Sequence, residues 1–173
     1  KNFPRSSRVS DAMKLLANSF KGRKQYDDAL KTYQDILKQF PEDPSEIHYL
    51  IATVEAPRNR TLEAIAAYKK SIDTFVSKRK IVPNYIREAH YKLGNSLYQS
   101  GKFNESIDAL STAIKLFPDH PDKNWSELIL ADALKKIQND QQATAKLNQL
   151  IKSESGDDLM KKAAESQLKM MEW

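Results

Sequence analysis

The chain has 173 residues, no cysteine, four glycines and a formal net charge of +5, with hydrophobic residues at 40% and charged residues at 29%. That length is one compact domain or a short stack of repeats. The missing cysteines exclude disulfides, thiolate metal sites and cysteine nucleophiles, and no apolar run approaches the roughly 18 residues of a membrane span.

The amino terminus, KNFPRSSRVS, is polar and basic and shows no apolar core of a signal peptide. Phe3-Pro4 is the first of three Phe-Pro pairs; the others are Phe40-Pro41 and Phe117-Pro118. The prolines are 41 − 4 = 37 and 118 − 41 = 77 residues apart, which is one unit and about two. Each of these prolines would stop a helix, because the residue before proline is pushed out of the α region. A fixed period of this size marks a repeat architecture. Phe3-Pro4 has the form of the tail of a preceding repeat, so residue 1 is expected to lie inside a longer protein.

The first unit predicts a helix over about Ser10–Lys21, with Met13, Leu16, Ala17 and Phe20 at helical spacing. A second follows over about Tyr26–Gln39, with Ala29, Tyr33, Ile36 and Leu37 inward. The next unit lacks the Phe-Pro mark and is found by setting Ala64 on Ala29 and Tyr68 on Tyr33. Its second helix is expected to run on through Ser77-Lys78-Arg79-Lys80 before Pro83 restarts a helix. The third unit carries helix-ending Gly101, then an amphipathic run from Phe103 to Phe117. The fourth turns at Asn139-Asp140, with Ala143, Leu147 and Leu150 inward, and Asp157-Asp158 opens a last helix. Helices this short are marginal alone and persist by stacking on their neighbours.

These residues resemble the tetratricopeptide repeat, whose 34-residue unit is recognised at places 4, 7, 8, 11, 20, 24, 27 and 32. From Ser10 those places hold Met13, Leu16, Ala17, Phe20, Ala29, Tyr33, Leu37 and Pro41; from Arg87 they hold His90, Leu93, Gly94, Leu97, Ser106, Leu110, Ala113 and Pro118. The unit from Ser45 keeps His48, Ile51, Ala52, Ala64, Tyr68 and Ser71, and the fourth keeps Leu130, Ala131, Leu134, Ala143, Leu147 and Leu150. The family's tryptophan at place 4 is missing, and about eight extra residues intervene near Lys78 to Ile86. The resemblance implies an all-α, right-handed superhelical solenoid of about four helix pairs with a carboxyl-terminal capping helix. The repeats would lie at about 10–43, 45–80, 87–120 and 124–155 and the cap at about 157–172, forming one domain. The stretches Phe3–Phe20, Tyr26–Pro41 and KKAAESQLKMM also resemble bacterial envelope proteins, the Tol-Pal coordinator and the outer-membrane assembly lipoproteins. That likeness implies a periplasmic or envelope location; the cytoplasm is the alternative.

Catalytic chemistry finds no foothold. His48 and His90 share place 4 and read as packing residues, and His120 lies in an acidic loop without a calcium pattern. No nucleophile elbow or phosphate-cradling glycine loop occurs. Asp27-Asp28 and Asp157-Asp158 open helices and complement the helix dipole. No enzyme activity, cofactor or metal is expected. The run Lys78-Arg79-Lys80 lacks interleaved aromatics, so nucleic acid is not expected either.

The family's first helices line a concave groove, and this is where partner binding is expected. Lys14, Asn18, Tyr49, Thr53, Tyr91, Asn95, Tyr98, Gln99 and Asp132 fall on that face by register. Tyrosine offers area and a hydrogen bond, and asparagine can pair with peptide backbone. Tyr91 and Trp125 are also open to simple packing against a neighbouring repeat. The family's clamp for heat-shock chaperone tails is matched by Lys14 and Asn18 but broken by Leu50 and Glu88, so that partner is not expected. The implied function is a non-catalytic scaffold that holds a protein or peptide in its groove. Self-assembly and binding of nucleic acid or an anionic surface are the alternatives.

Overall fold

A computed structural model describes residues 7–42, 44–75, 81–153 and 158–171. It is all-α, with no strand among the described residues. The helices are α1 (Ser7–Gly22), α2 (Tyr26–Gln39), α3 (Ser45–Glu55), α4 (Thr61–Thr74), α5 (Asn84–Gln99), α6 (Phe103–Leu116), α7 (Lys123–Lys136), α8 (Asp140–Lys152) and α9 (Asp158–Lys169). A short 3₁₀ turn, Ala56–Arg58, extends α3. Two compact units divide the chain, Lys1–Ala89 and His90–Trp173.

In the first unit α1 packs on α2, α2 on α3, and α3 on α4. The helix α2 shows why the sequence folds this way. Asp27 and Asp28 open it, and Ala29, Leu30, Tyr33 and Ile36 form one buried stripe. Phe40 ends it, donating its N–H to the Ile36 carbonyl at 2.8 Å, and Pro41 forbids continuation. The stripe joins Ala17, Ile47 and Val54 in one core, with Met13, Phe20 and Leu37 packed at its edge.

In the second unit α6 packs on α7, α7 on α8, and α8 on α9. Leu110, Leu130, Leu134 and Ala143 form one cluster. Leu128, Leu147, Leu150, Met160 and Ala164 form another, through which α9 covers α8.

Every helix pair turns on a residue with positive φ: Lys24 (60°), Asn59 (59°), Gly101 (76°) and Gln138 (61°). Around each, the chain closes the same pair of hydrogen bonds. The Gly101 N–H reaches the Tyr98 carbonyl at 2.9 Å, and the Lys102 N–H reaches the Leu97 carbonyl at 3.0 Å. The Gln138 and Asn139 N–H groups repeat this on Lys135 and Leu134, both at 2.9 Å. This satisfies carbonyls that a helix end leaves orphaned. Gly101 and Asn59 are residue types that favour a positive φ, whereas Lys24 and Gln138 are not.

One expectation is corrected. The helix α4 does not run on toward Lys80; it stops at Thr74, and Phe75 is extended with φ −69° and ψ 115°. The run Lys78-Arg79-Lys80, Phe3-Pro4 and Asp157 lie outside the described residues.

Candidate functional site

The first helices of the repeats, α1, α3, α5 and α7, carry the residues expected to line the groove. Packing sets which of them can face outward. Place 8 must be small because its helix meets the second helix there: Ala17, Ala52 and Ala131 are at most 1% exposed. At Gly94 there is no room for even a methyl group. A Cβ added there would sit 2.4 Å from Leu110 Cδ2 and 3.2 Å from the Leu110 backbone nitrogen. The Ser106 hydroxyl donates to the Gly94 carbonyl at 2.8 Å and secures this crossing.

In the first unit the outward residues bond to one another in a regular register. Lys14 bridges Glu46 at 3.0 Å, 32 residues on, and Asp11 at 3.0 Å. Lys21 donates to Thr53 Oγ1 at 3.2 Å, also 32 residues on, while the Thr53 hydroxyl donates to the Leu50 carbonyl at 2.7 Å. The Tyr49 hydroxyl donates to the Glu88 carboxylate. Its ring packs against Tyr68 and Tyr85, with centroids 6.2 and 6.0 Å away. Asn18 accepts a hydrogen bond from the buried Tyr33 hydroxyl at 2.6 Å. Burial pushes the Tyr33 phenol up to about 12, and the charge of Glu46 adds to the shift. Burial alone would lower Lys14, but its hydrogen bonds and charge pairing with Asp11 and Glu46 outweigh that and hold it above the ordinary lysine value.

Two rules describe these pairs. The residue at place 5 of one repeat meets place 2 of the next, as in Lys14–Glu46 and Tyr49–Glu88. The residue at place 12 meets place 9 of the next, as in Lys21–Thr53. The second unit follows the latter rule: the Tyr98 hydroxyl donates to the Asp132 carboxylate. Burial first, and then that hydrogen bond and charge, push the Tyr98 phenol up to about 12. Lys135, at the same place one repeat after Tyr98, instead donates to a backbone group, the Met170 carbonyl just past α9, at 3.3 Å.

Tyr91 departs from its expected place on an open wall. It is fully buried, with its hydroxyl donating to the Phe117 carbonyl at 2.8 Å and its ring stacked on His120 at 4.5 Å. An apolar ring with a polar tip is best satisfied where the tip finds a backbone acceptor. Trp125, for which packing was the competing expectation, is instead 46% exposed. Gln99 is exposed and Asn95 half buried. The Asn95 Oδ1 is buried with no hydrogen-bond partner among the described residues. His90 packs on Phe117, with centroids 5.4 Å apart. No cluster of three or more His, Asp or Glu able to hold a metal occurs among the described residues, and none of their helices is long and apolar enough to cross a membrane.

Glu46, Glu88 and Trp125 all stand at place 2 and so fall on the groove face by register, but they lie outside the set expected to contact a partner. The signal was available for the first two: a carboxylate at place 2 falls one repeat after a lysine or tyrosine at place 5.

Tetratricopeptide repeat models match residues 14–75 and 87–120, together more than half of the chain. The chain is a tetratricopeptide repeat protein. No curated protein matches its sequence. Solved structures match its fold. YrrB, described as a tetratricopeptide repeat protein with an unusual peptide-binding site, is 16% identical with a TM-score of 0.69 over 93% of this chain and 76% of its own. A Podosopora anserina putative kinesin light chain repeat structure is 16% identical with a TM-score of 0.70, covering 97% and 85%. The RS-1 form of MamA is 13% identical with a TM-score of 0.71, covering 97% and 95%. At these identities the tetratricopeptide likeness concerns the fold.

Proposed function

We propose that this tetratricopeptide repeat chain is a non-catalytic interaction scaffold that holds an extended peptide segment of a protein partner. The contact set in the second unit is Asn95, Tyr98, Gln99 and Trp125. One observation carries the reading: the buried, unpartnered Oδ1 of Asn95 stands on a face whose other polar groups are largely paired. An unpaired buried acceptor costs about 1–3 kcal/mol, and a turn of the half-buried Asn95 side chain toward the groove would let a peptide N–H recover that cost. The exposed Trp125 adds the aromatic area that anchors peptides. The peptide-binding site of YrrB, a fold neighbour, supports the class of ligand.

The test is a selection of binding peptides from a displayed random library on the wild-type chain. Affinities are then measured for Asn95→Ala and Gln99→Ala, with circular dichroism as the check on folding. Selected peptides should lose about tenfold in affinity with Asn95→Ala, matching a lost hydrogen bond of about 1.4 kcal/mol. Equal binding by wild type and both variants would remove the reading. An envelope location is proposed on the sequence resemblance alone; recovery of the native protein solely in the cytosolic fraction would reject it.

A further inference from the structure

A groove lies open where α6 and α8 flank α7. Leu130 and Leu134 of α7, 2% and 4% exposed, stand at its floor. Ile107 and Ser111 of α6 form one wall, and α8 forms the other from Gln142 to Gln149. That span of α8 runs for about 10 Å. The cavity holds about 240 Å³, below the roughly 300–1,000 Å³ of pockets that enclose a small molecule. It suits an apolar side chain of another helix. Its rim offers amides and a hydroxyl but no acid, and Lys146 is the one charged residue on the lining. Lys146 is half buried and forms no ion pair among the described residues.

The helix α4 carries the complement. It buries Ala64, Ile65, Tyr68 and Ser71 and leaves Leu62, Glu63 and Ala66 exposed, Leu62 by 62%. Leu62 and Ala66 stand one turn apart on the outer face. The first is an apolar anchor, and the second is small enough for another helix to approach. Glu63 lies beside Leu62 and, like Lys146, forms no ion pair among the described residues. Arg60, the cation nearest to Leu62 in sequence, is already turned to Glu55 at 4.0 Å. Other exposed apolar side chains suit Lys146 less well. Leu116 and Met170 each follow a lysine, and Leu159 has Lys161 and Lys162 within one turn.

We infer that this groove receives α4 of a second copy of the chain, with Leu62 seated over Leu130 and Leu134 and Glu63 paired with Lys146. Charge complementarity selects this occupant. An acid and a base left unpaired on one chain satisfy each other across two, while the apolar anchor meets an apolar floor. The contact joins two different surfaces, so it either closes as a reciprocal pair or continues head to tail. Two turns of helix bury too little area for a permanent dimer, so the association is weak and depends on concentration. It uses none of the peptide contacts around Asn95.

Sedimentation equilibrium of the chain between about 10 μM and about 1 mM tests this, a range that brackets a contact of this size. The mean mass should rise with concentration toward two copies or more. Leu62→Asp should leave the circular dichroism unchanged, because the side chain faces water, and should weaken the association at least about tenfold. Glu63→Lys and Lys146→Glu should each weaken it about three- to tenfold. The chain carrying both reversals should recover the wild-type constant, because the pair is rebuilt with its signs exchanged. A constant mass over the whole range overturns the inference. Association unchanged by Leu62→Asp or by Lys146→Glu also overturns it, since another surface then joins the copies. Failure of the double reversal to restore binding overturns it as well, because the two charges then do not meet.

Discussion

Gly94 sits where α5 meets Leu110 of α6, and its lack of a side chain is what permits the crossing. Gly94→Ala would press a methyl group into Leu110, with the backbone nitrogen behind it, and should destabilise by about 1–3 kcal/mol in chemical denaturation. Helix propensity alone predicts the opposite sign, so the measurement separates the two effects. Gln138 makes the converse case. It holds a left-handed φ of 61° that costs an L-residue about 1–2 kcal/mol, partly offset by the entropy glycine loses. Gln138→Gly should therefore stabilise, by about 0.5–1 kcal/mol, in the same assay. Gly101 was legible in the sequence as a helix stop because glycine is the residue chemistry favours there. Lys24 and Gln138 were not, since neither residue type signals a left-handed turn; the two closing hydrogen bonds impose it.

At the scale of elements, cross-repeat pairs such as Lys14–Glu46 and Tyr98–Asp132 tie one first helix to the next. The register place of each partner was readable, but its pairing was not. Sequence assigns Lys14 to a face, whereas the lateral spacing of α1 and α3 decides that its ammonium meets Glu46 before any ligand does. A double-mutant cycle on Lys14→Met and Glu46→Gln should give a coupling of about 0.5 kcal/mol that shrinks with salt, because both side chains keep solvent contact. A coupling of zero at low salt would show that the pair adds nothing. Tyr91 shows the same limit from the other side. Its register pointed outward, yet the Phe117 carbonyl and the His120 ring offered a better resting place for both parts of the side chain.

For the whole molecule, pH is the variable that gathers small terms. Burial holds both His48 and His90 below the usual value of 6.5, and the charge of Lys70 adds to the effect at His48. The unfolded chain therefore binds more protons than the folded one between those values. Stability is fully present above the unfolded value and is lost as pH falls through it toward the folded one. The thermal midpoint should fall between about pH 7.5 and about pH 5.5, and the slope should flatten with His90→Phe. A slope unchanged by that substitution would remove His90 from the account. The sequence by itself determined the all-α class and the tetratricopeptide family. It also determined the small residue at place 8, because a period of apolar and small residues encodes which helix faces must touch. Tertiary structure alone decided which outward residues remain available. A residue's face follows from its own spacing, but its partner depends on another helix brought beside it. That is why Asn95 keeps an unpaired oxygen while Tyr98 has a carboxylate, although the two sit three positions apart on one helix.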